Sequence, residues 1–216
     1  MGEKDIVQSG YDRIADVYLA ARREDAEDVR LVHDLIRRLP QGAEILDAGC
    51  GAGVPIARLL RETFQVTGVD FSQAQIDRAR RLVPGARFVC RDITELDFPD
   101  AAFDAVVSYY AIIHIPREEH LGLLLNFHRM LKPGGLALLC MGAEDLPADE
   151  DDFFGAAMYW SHYDAETNLR LVRECSFAIL WARRVSDSVA PDGGHLFILA
   201  QKPLLNAGAD GAQTPT

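Results

Sequence analysis

Two amphipathic stretches open the chain before any strand signal. Tyr11, Ile14, Ala15 and Tyr18 share one face of a helical period, and Val29, Val32, Leu35, Ile36 and Leu39 share another. Two helices are therefore expected within residues 1–40. The period then changes. Glu44–Ala48 reads as a short buried strand, followed by a glycine-rich turn at 49–53 and a helix carrying Ile56, Leu59 and Leu60. A second strand ends at Asp70. Ser72, with Gln75 three residues on, forms a capping box that predicts a helix through Arg81. Arg87–Cys90 reads as a third strand, and the largely apolar Phe103–Ser108 as a fourth of the kind buried on both faces.

The alternation continues through the second half. Pro116 stands where a helix can begin, Leu121, Leu124, Leu125, His128 and Leu131 follow at helical spacing, and Lys132-Pro133-Gly134-Gly135 stops them. Strand five is expected at 136–140. Residues 142–163 read as an irregular segment, long enough for a lid or substrate-capping loop. Asp164 then caps a helix carrying Leu169, Val172 and Cys175, and two strands follow near 177–185 and 195–201. Their nine-residue link, 186–194, is too short for a helical crossover, so the two must run antiparallel. The pattern predicts an α/β fold: a doubly wound, seven-stranded, mostly parallel sheet with its last strand antiparallel. One domain is expected over 1–203, and the small polar stretch 204–216 reads as a disordered tail.

Composition narrows the partners. The 216 residues carry a formal net charge of -11. The basic residues are scattered in pairs, Arg22 and Arg23, Arg37 and Arg38, Arg80 and Arg81, Arg183 and Arg184, most of them on polar helix faces. That argues against a nucleic-acid partner, which needs a basic stripe. Cys50, Cys90, Cys140 and Cys175 show no metal-ligand spacing and read as reduced core thiols, so no metal is expected. No apolar run approaches the length of a membrane helix, and no basic-then-apolar leader is seen; a soluble, cytoplasmic protein without a membrane partner is expected.

The chemistry sits at the first two strand ends. In Ile-Leu-Asp-Ala-Gly-Cys-Gly-Ala-Gly, residues 45–53, the glycines Gly49, Gly51 and Gly53 allow a tight turn and close approach to a ligand, and Asp47 sets a carboxylate beside it. Asp70 follows 21 residues after Gly49, at the end of strand two, where ribose hydroxyls need acceptors. Together these features point to a nucleotide-like cofactor. Ligands of such sheets bind outside the carboxyl ends of the strands, where strand order reverses, which puts Asp47, Gly49, Asp70, Asp92 and Tyr109 along one edge.

These residues resemble the class I S-adenosylmethionine-dependent methyltransferase family over about 11–203. Four blocks recur in order: Asp47-Ala48-Gly49-Cys50-Gly51-Ala52-Gly53; Asp70 after Gly68-Val69; Asp92 in Cys90-Arg91-Asp92-Ile93; and Phe103-Asp104-Ala105-Val106-Val107-Ser108 with Leu131-Lys132-Pro133-Gly134-Gly135. The resemblance implies S-adenosylmethionine as cofactor. Asp70 would hold the ribose, Asp92 and the Ile93 amide the adenine, and Phe71 would pack on it. Asp47 would attract the ammonium, directly or through water, while amides at the helix start receive the carboxylate; Gly49, Cys50 and Gly51 are further expected cofactor contacts. Tyr109 would line the cleft. Tyr11 and Tyr18, in helices resembling the family's amino-terminal lid at 1–40, would close over the cofactor. At 109–114 the chain departs from many relatives, keeping one histidine where they carry two.

Methyl transfer from a sulfonium is an in-line displacement, so the protein supplies alignment, exclusion of water and, for a hydroxyl acceptor, a base. His114 is the first candidate base and His162 the second. Tyr110, His114, Met158, Tyr159 and Trp160 are the candidate acceptor contacts. A small-molecule acceptor with oxygen or nitrogen is expected, oxygen slightly preferred because tyrosines and histidines line the inferred mouth; a homodimer is left open. The six acids Glu144, Asp145, Asp149, Glu150, Asp151 and Asp152 read as a solvated turn ahead of acceptor for a cationic amine. Two rival readings remain. A nicotinamide-dependent oxidoreductase would need glycine or alanine where Val54 stands, and a Tyr-x-x-x-Lys relay that the chain lacks. A scaffold that binds the cofactor without turnover would keep the same acids.

Overall fold

The structure is a computed structural model that describes residues 2–186 and 194–204. The expected tail, apart from Leu204, and most of the last link lie outside the described residues. In chain order the helices are α1 (Glu3–Ala21), α2 (Glu27–Arg30), α3 (Val32–Ile36), α4 (Ile56–Arg61), α5 (Gln73–Leu82), α6 (His120–Met130) and α7 (Ala165–Glu174). The strands are β1 (Glu44–Ala48), β2 (Gln65–Asp70), β3 (Arg87–Cys90), β4 (Phe103–Ser108), β5 (Leu131–Gly142), β6 (Leu146–Phe153), β7 (Ala156–His162), β8 (Ala178–Ser186) and β9 (Gly194–Gln201). Seven strands form one sheet in the order β3-β2-β1-β4-β5-β9-β8. β1 to β5 pair in parallel, and β9 runs antiparallel to both β5 and β8. This is the Rossmann-like methyltransferase arrangement, with the last strand inserted antiparallel as expected.

Strict alternation along the central strands produces two cores. Ile45, Ala105, Val107 and Leu138 face the side covered by α3, α4 and α5, among Leu35, Leu60 and Ile76. Their neighbours Leu46, Val106, Ala137 and Leu139 face the other side, among Leu124, Phe127, Met130 and Val172 of α6 and α7. A continuous apolar run is what a strand covered on both faces requires. The caps hold their helices as read: Ser72 Oγ accepts the Gln75 amide at 3.1 Å, and Asp164 Oδ1 accepts the Thr167 amide at 2.8 Å.

Two local expectations are corrected. The second helix is split into α2 and α3 at Leu31. The segment 142–163 is mostly a β-hairpin, in which β6 pairs with β7 and Phe153 faces Ala156 across a two-residue loop. Phe154 and Gly155, at φ 55° and 85°, give that loop the type I′ signature. The acids Asp149 to Asp152 are exposed along β6 as solvated strand residues. The hairpin lies under α1. Gly10 touches it so closely that a Cβ there would meet the Ala157 carbonyl at 2.8 Å and Met158 Cε at 2.9 Å. Val7, Ile14, Ala156, Met158 and Tyr159 make the small core between them. The cysteines also differ from one another: Cys140 and Cys175 are buried, Cys50 is half-buried, and Cys90, at the end of edge strand β3, is exposed.

Candidate functional site

The strand order reverses between β1 and β4, so a crevice opens at their carboxyl ends. The turn after β1 folds back on its own sheet. Gly49 and Cys50 both donate to the Val69 carbonyl, at 2.8 and 2.9 Å, Gly51 donates to Asp70 Oδ2 at 2.9 Å, and Gly53 donates to the Cys50 carbonyl at 2.9 Å. These amides are therefore committed within the fold. Gly49 is required on two counts: its φ is +80°, and a Cβ would stand 2.1 Å from that of Ala111. The Cys50 thiol is pushed well above the usual range by burial and by Asp47 and Asp70 beside it, which makes it unreactive.

The three carboxylates are held differently. Asp70 fixes its plane by accepting Gly51 N and Ser72 N, one on each oxygen, both at 2.9 Å. Burial raises it to about 6 despite those two bonds. Asp47 is 1% exposed and its Oδ2 has no hydrogen-bond partner. Burial first, and the Asp70 charge second, push it to about 7. Asp92 caps a short 3-10 turn, its Oδ1 accepting Thr94 N at 2.8 Å and Thr94 Oγ1 at 2.9 Å. Its Oδ2 pairs with Lys4 of α1 at 3.1 Å, and Lys4 also reaches Glu119 at 2.6 Å.

Two cavities meet over these groups. One, of about 650 Å³, is lined by Asp70, Phe71, Asp92, Ile93 and His114, with Lys4 and Tyr11 from α1. The other, of about 490 Å³, is lined by Asp47, Cys50 and Arg22. Tyr18, Gly49, Gly51, Gln75, Tyr109 and Tyr110 line both, so the two adjoin. Every expected cofactor contact lines one or the other; among the expected acceptor contacts only Tyr110 and His114 do.

A buried cation was missed by the sequence. Arg22, expected on a solvated face, is turned inward, and its Nη2 pairs with Asp28 Oδ2 at 2.8 Å with side-chain exposures of 6% and 0%. Tyr110 donates to the same Asp28 oxygen at 3.0 Å, Tyr109 donates to the Asp28 carbonyl at 3.1 Å, and the Arg22 guanidinium lies over the Tyr110 ring at 4.8 Å. Tyr110 sits at φ 56°, a left-handed conformation that costs a non-glycine residue on the order of 1 kcal/mol. Its anchored hydroxyl and buried ring hold it there. Nothing in the local pattern marks Arg22; only the tertiary approach of α1's end to α2 does.

The histidines separate clearly. His114 is buried, with Nδ1 2.7 Å from the Tyr159 carbonyl and Nε2 2.9 Å from the Tyr11 hydroxyl. A carbonyl can only accept, so Nδ1 carries the proton and Nε2 presents its lone pair. Burial lowers its pKa to about 4, so it is neutral at physiological pH. His162 lies at the base of the hairpin, Nδ1 bonded to the Glu144 carbonyl at 2.8 Å, and lines neither cavity. Met158 and Tyr159 are buried in the core beneath α1, and Trp160 packs at their edge. Further polar contacts tie α1 across the site: Gln8 Nε2 donates to the Phe71 carbonyl at 2.6 Å, Ser72 Oγ bonds Asp12, and Arg78 pairs with Asp16 at 2.8 Å. No described helix is long and apolar enough to cross a membrane.

Comparison with known proteins agrees with this geometry. The sequence profile of the family described as "Methyltransferase domain" matches residues 45–135, β1 through the turn in β5. The 2-methyl-6-phytyl-1,4-hydroquinone methyltransferase of Synechocystis sp. is 38% identical over 105 residues, covering 47% of this chain and 32% of that protein. The chain spans about a quarter to a third of the length of the first curated relatives it matches. Among solved structures, the 1,6-didemethyltoxoflavin-N1-methyltransferase of Burkholderia thailandensis, with bound S-adenosylhomocysteine, superposes with a TM-score of 0.69 at 24% identity, covering 93% of this chain and 87% of that one. The [4+2]-cyclase SpnF gives 0.71 at 22% identity, over 92% and 95%. At such identities the likeness is one of fold. Sheet order, glycine turn and sequence match agree: the chain carries a class I S-adenosylmethionine-dependent methyltransferase domain.

Proposed function

We propose that the chain binds S-adenosylmethionine and transfers its methyl group to an oxygen or nitrogen of a small-molecule acceptor. The observation that carries this reading is the pairing of opposite buried charges in one cavity. Asp47, with an unpartnered carboxylate oxygen, and Arg22, a buried guanidinium, both line it. An amino-acid end has an ammonium for the first and a carboxylate for the second. A dinucleotide does not suit the same place, because its pyrophosphate needs open turn amides and would face the Asp47 charge. That weighs against the oxidoreductase reading.

In this reading Asp70 accepts from the ribose hydroxyls with its remaining lone pairs, held in plane by its two backbone bonds. Ile93, Phe71 and Asp92 border the adenine space, where Lys4 must share or yield Asp92 Oδ2. The bound cofactor supplies an electrophilic methyl on a sulfonium. The chain orients the acceptor, excludes water beneath α1 and offers His114 Nε2 for a proton. Helix α1 acts as the lid and the β6–β7 hairpin as the platform on which it closes. His162, which lines neither cavity, is given no catalytic part in this reading.

The small-molecule class is supported by the two named methyltransferases, whose names carry a hydroquinone and a didemethyltoxoflavin. SpnF, named for a cycloaddition, is the reason to test turnover directly. The chain should be incubated with methyl-labelled S-adenosylmethionine and a library of hydroxyl and amine acceptors. Label in an acceptor with equal formation of S-adenosylhomocysteine is expected. Binding of the sulfonium without transfer to any acceptor would favour a scaffold.

A further inference from the structure

Five aromatic rings beside the larger cavity close on one another in a circuit. Tyr11 meets Tyr18 at 5.4 Å between centroids, Tyr18 meets Phe153 at 6.0 Å, and Phe153 meets Trp160 at 5.8 Å. Trp160 meets His114 at 5.7 Å, and His114 returns to Tyr11 at 5.4 Å. Tyr11 stands edge-on to both its neighbours, at 73° and 85°, with its hydroxyl 2.9 Å from His114 Nε2. The chain thus holds one aryl hydroxyl of its own on a fixed imidazole acceptor, inside aromatic walls. Tyr11 comes from α1, which is joined to the sheet by side-chain contacts, whereas His114 is buried in the body.

We propose that this seat receives the methyl acceptor, and that the acceptor is an aryl alcohol whose O–H replaces that of Tyr11 on His114 Nε2 and whose ring lies against Tyr18 in the cavity, with Phe153 and Trp160 packed behind. The proposal rests on the methyltransferase reading above. The acceptor oxygen forms its bond to the methyl carbon as the carbon–sulfur bond breaks, the electron pair stays on sulfur, and the hydroxyl proton passes to His114 Nε2 and then to water. The products are an aryl methyl ether, a neutral thioether and a proton, so no further co-reactant is needed. Nδ1, committed to the Tyr159 carbonyl at 2.7 Å, keeps the imidazole in the accepting tautomer throughout.

A cationic amine fits less well. The neighbouring charges that lower His114 further are those of His195 and His162. The acids that line the cavity, Asp70 and Asp92, already have partners. The carboxylates of β6 are exposed to water. An ammonium in the circuit would lose its hydration for ring faces alone and would still have to shed a proton before attack.

The test uses three probes of one shape: 1-naphthol, 1-naphthylamine and the cationic 1-naphthylmethylamine. Calorimetry first measures S-adenosylhomocysteine binding to the full chain; its absence would remove the methyltransferase reading itself. With that product bound, 1-naphthol is expected to bind at least tenfold tighter than either amine. Tyr11→Phe, which removes the competing internal hydroxyl, should tighten 1-naphthol by roughly twofold to tenfold, and His114→Ala should abolish the preference. Turnover of the unaltered chain should yield 1-methoxynaphthalene by mass spectrometry. Equal or tighter binding of an amine, no binding of naphthol, or weaker naphthol binding in Tyr11→Phe would overturn the aryl-alcohol assignment while leaving cofactor binding intact.

Discussion

Replacing Asp47 by Asn separates the cost of this site from its use. Asp47 is fully enclosed, and burial with the neighbouring Asp70 raises its pKa from 3.8 to about 7. The folded chain therefore holds a proton there through a pH window in which the unfolded chain has lost it. Stability from this group is complete below the unfolded pKa and is lost as pH rises through the folded one. At 1.36 kcal/mol per unit, keeping the charge at pH 8 costs roughly 4 kcal/mol, of which roughly 3 kcal/mol accrues between pH 5 and pH 8. Asn removes the charge and leaves a buried amide short of partners, which costs about 1–3 kcal/mol. The variant without cofactor should then be more stable than the parent by on the order of 1–3 kcal/mol at pH 8, and about equal to it at pH 5. Urea unfolding of both proteins at the two pH values measures this. Asp70 titrates in the same direction and is present in both, so the difference reads Asp47 together with its repulsion of Asp70. The same change should weaken S-adenosylhomocysteine binding at least tenfold, because an ammonium loses its counter-charge. A variant that follows the parent's pH dependence, or that is stabilised while binding as tightly, would refute the reasoning.

Other perturbations test the scaffold around the site. Gly49→Ala should destabilise the chain by several kcal/mol, and adding Ala111→Gly should restore part of that by removing the 2.1 Å clash while the positive φ remains; thermal unfolding of the single and double variants reads both. Asp28→Ala removes the buried carboxylate that pairs with Arg22 at 2.8 Å and should cost about 3–5 kcal/mol in denaturant unfolding. Gly10→Val should pry α1 from the hairpin, costing about 1–3 kcal/mol and speeding amide exchange in Glu3–Ala21 relative to β1 and β4; unchanged exchange would mean that α1 is not seated through that contact.

What the sequence disclosed and what it hid divide along physical lines. Runs such as Phe103–Ser108, the caps Ser72 and Asp164, and the turn at 49–53 act through near neighbours, so periodicity and residue type expose them. The short link before β9 forced an antiparallel ending for the same reason. The hairpin escaped because Phe154-Gly155 lacks the usual Asn-Gly or Asp-Gly signal and the acids of β6 imitate a solvated turn. Its aromatics were grouped as one acceptor wall, but cover from α1 buries Met158 and Tyr159 in a core. Arg22 and Asp28 meet only after α1 ends and the chain doubles back. His114 and His162, ranked first and second from the sequence, are separated in the fold by which one lines a cavity.

The central claim is that this crevice holds a sulfonium nucleoside carrying an amino-acid end. Titrating the unaltered chain with S-adenosylmethionine and, separately, with NADH in a calorimeter tests it most directly. One saturable site for the sulfonium compound, weakened at least tenfold by Asp70→Ala, and no heat with NADH is the expected result. Tight NADH binding with none for S-adenosylmethionine would contradict the account.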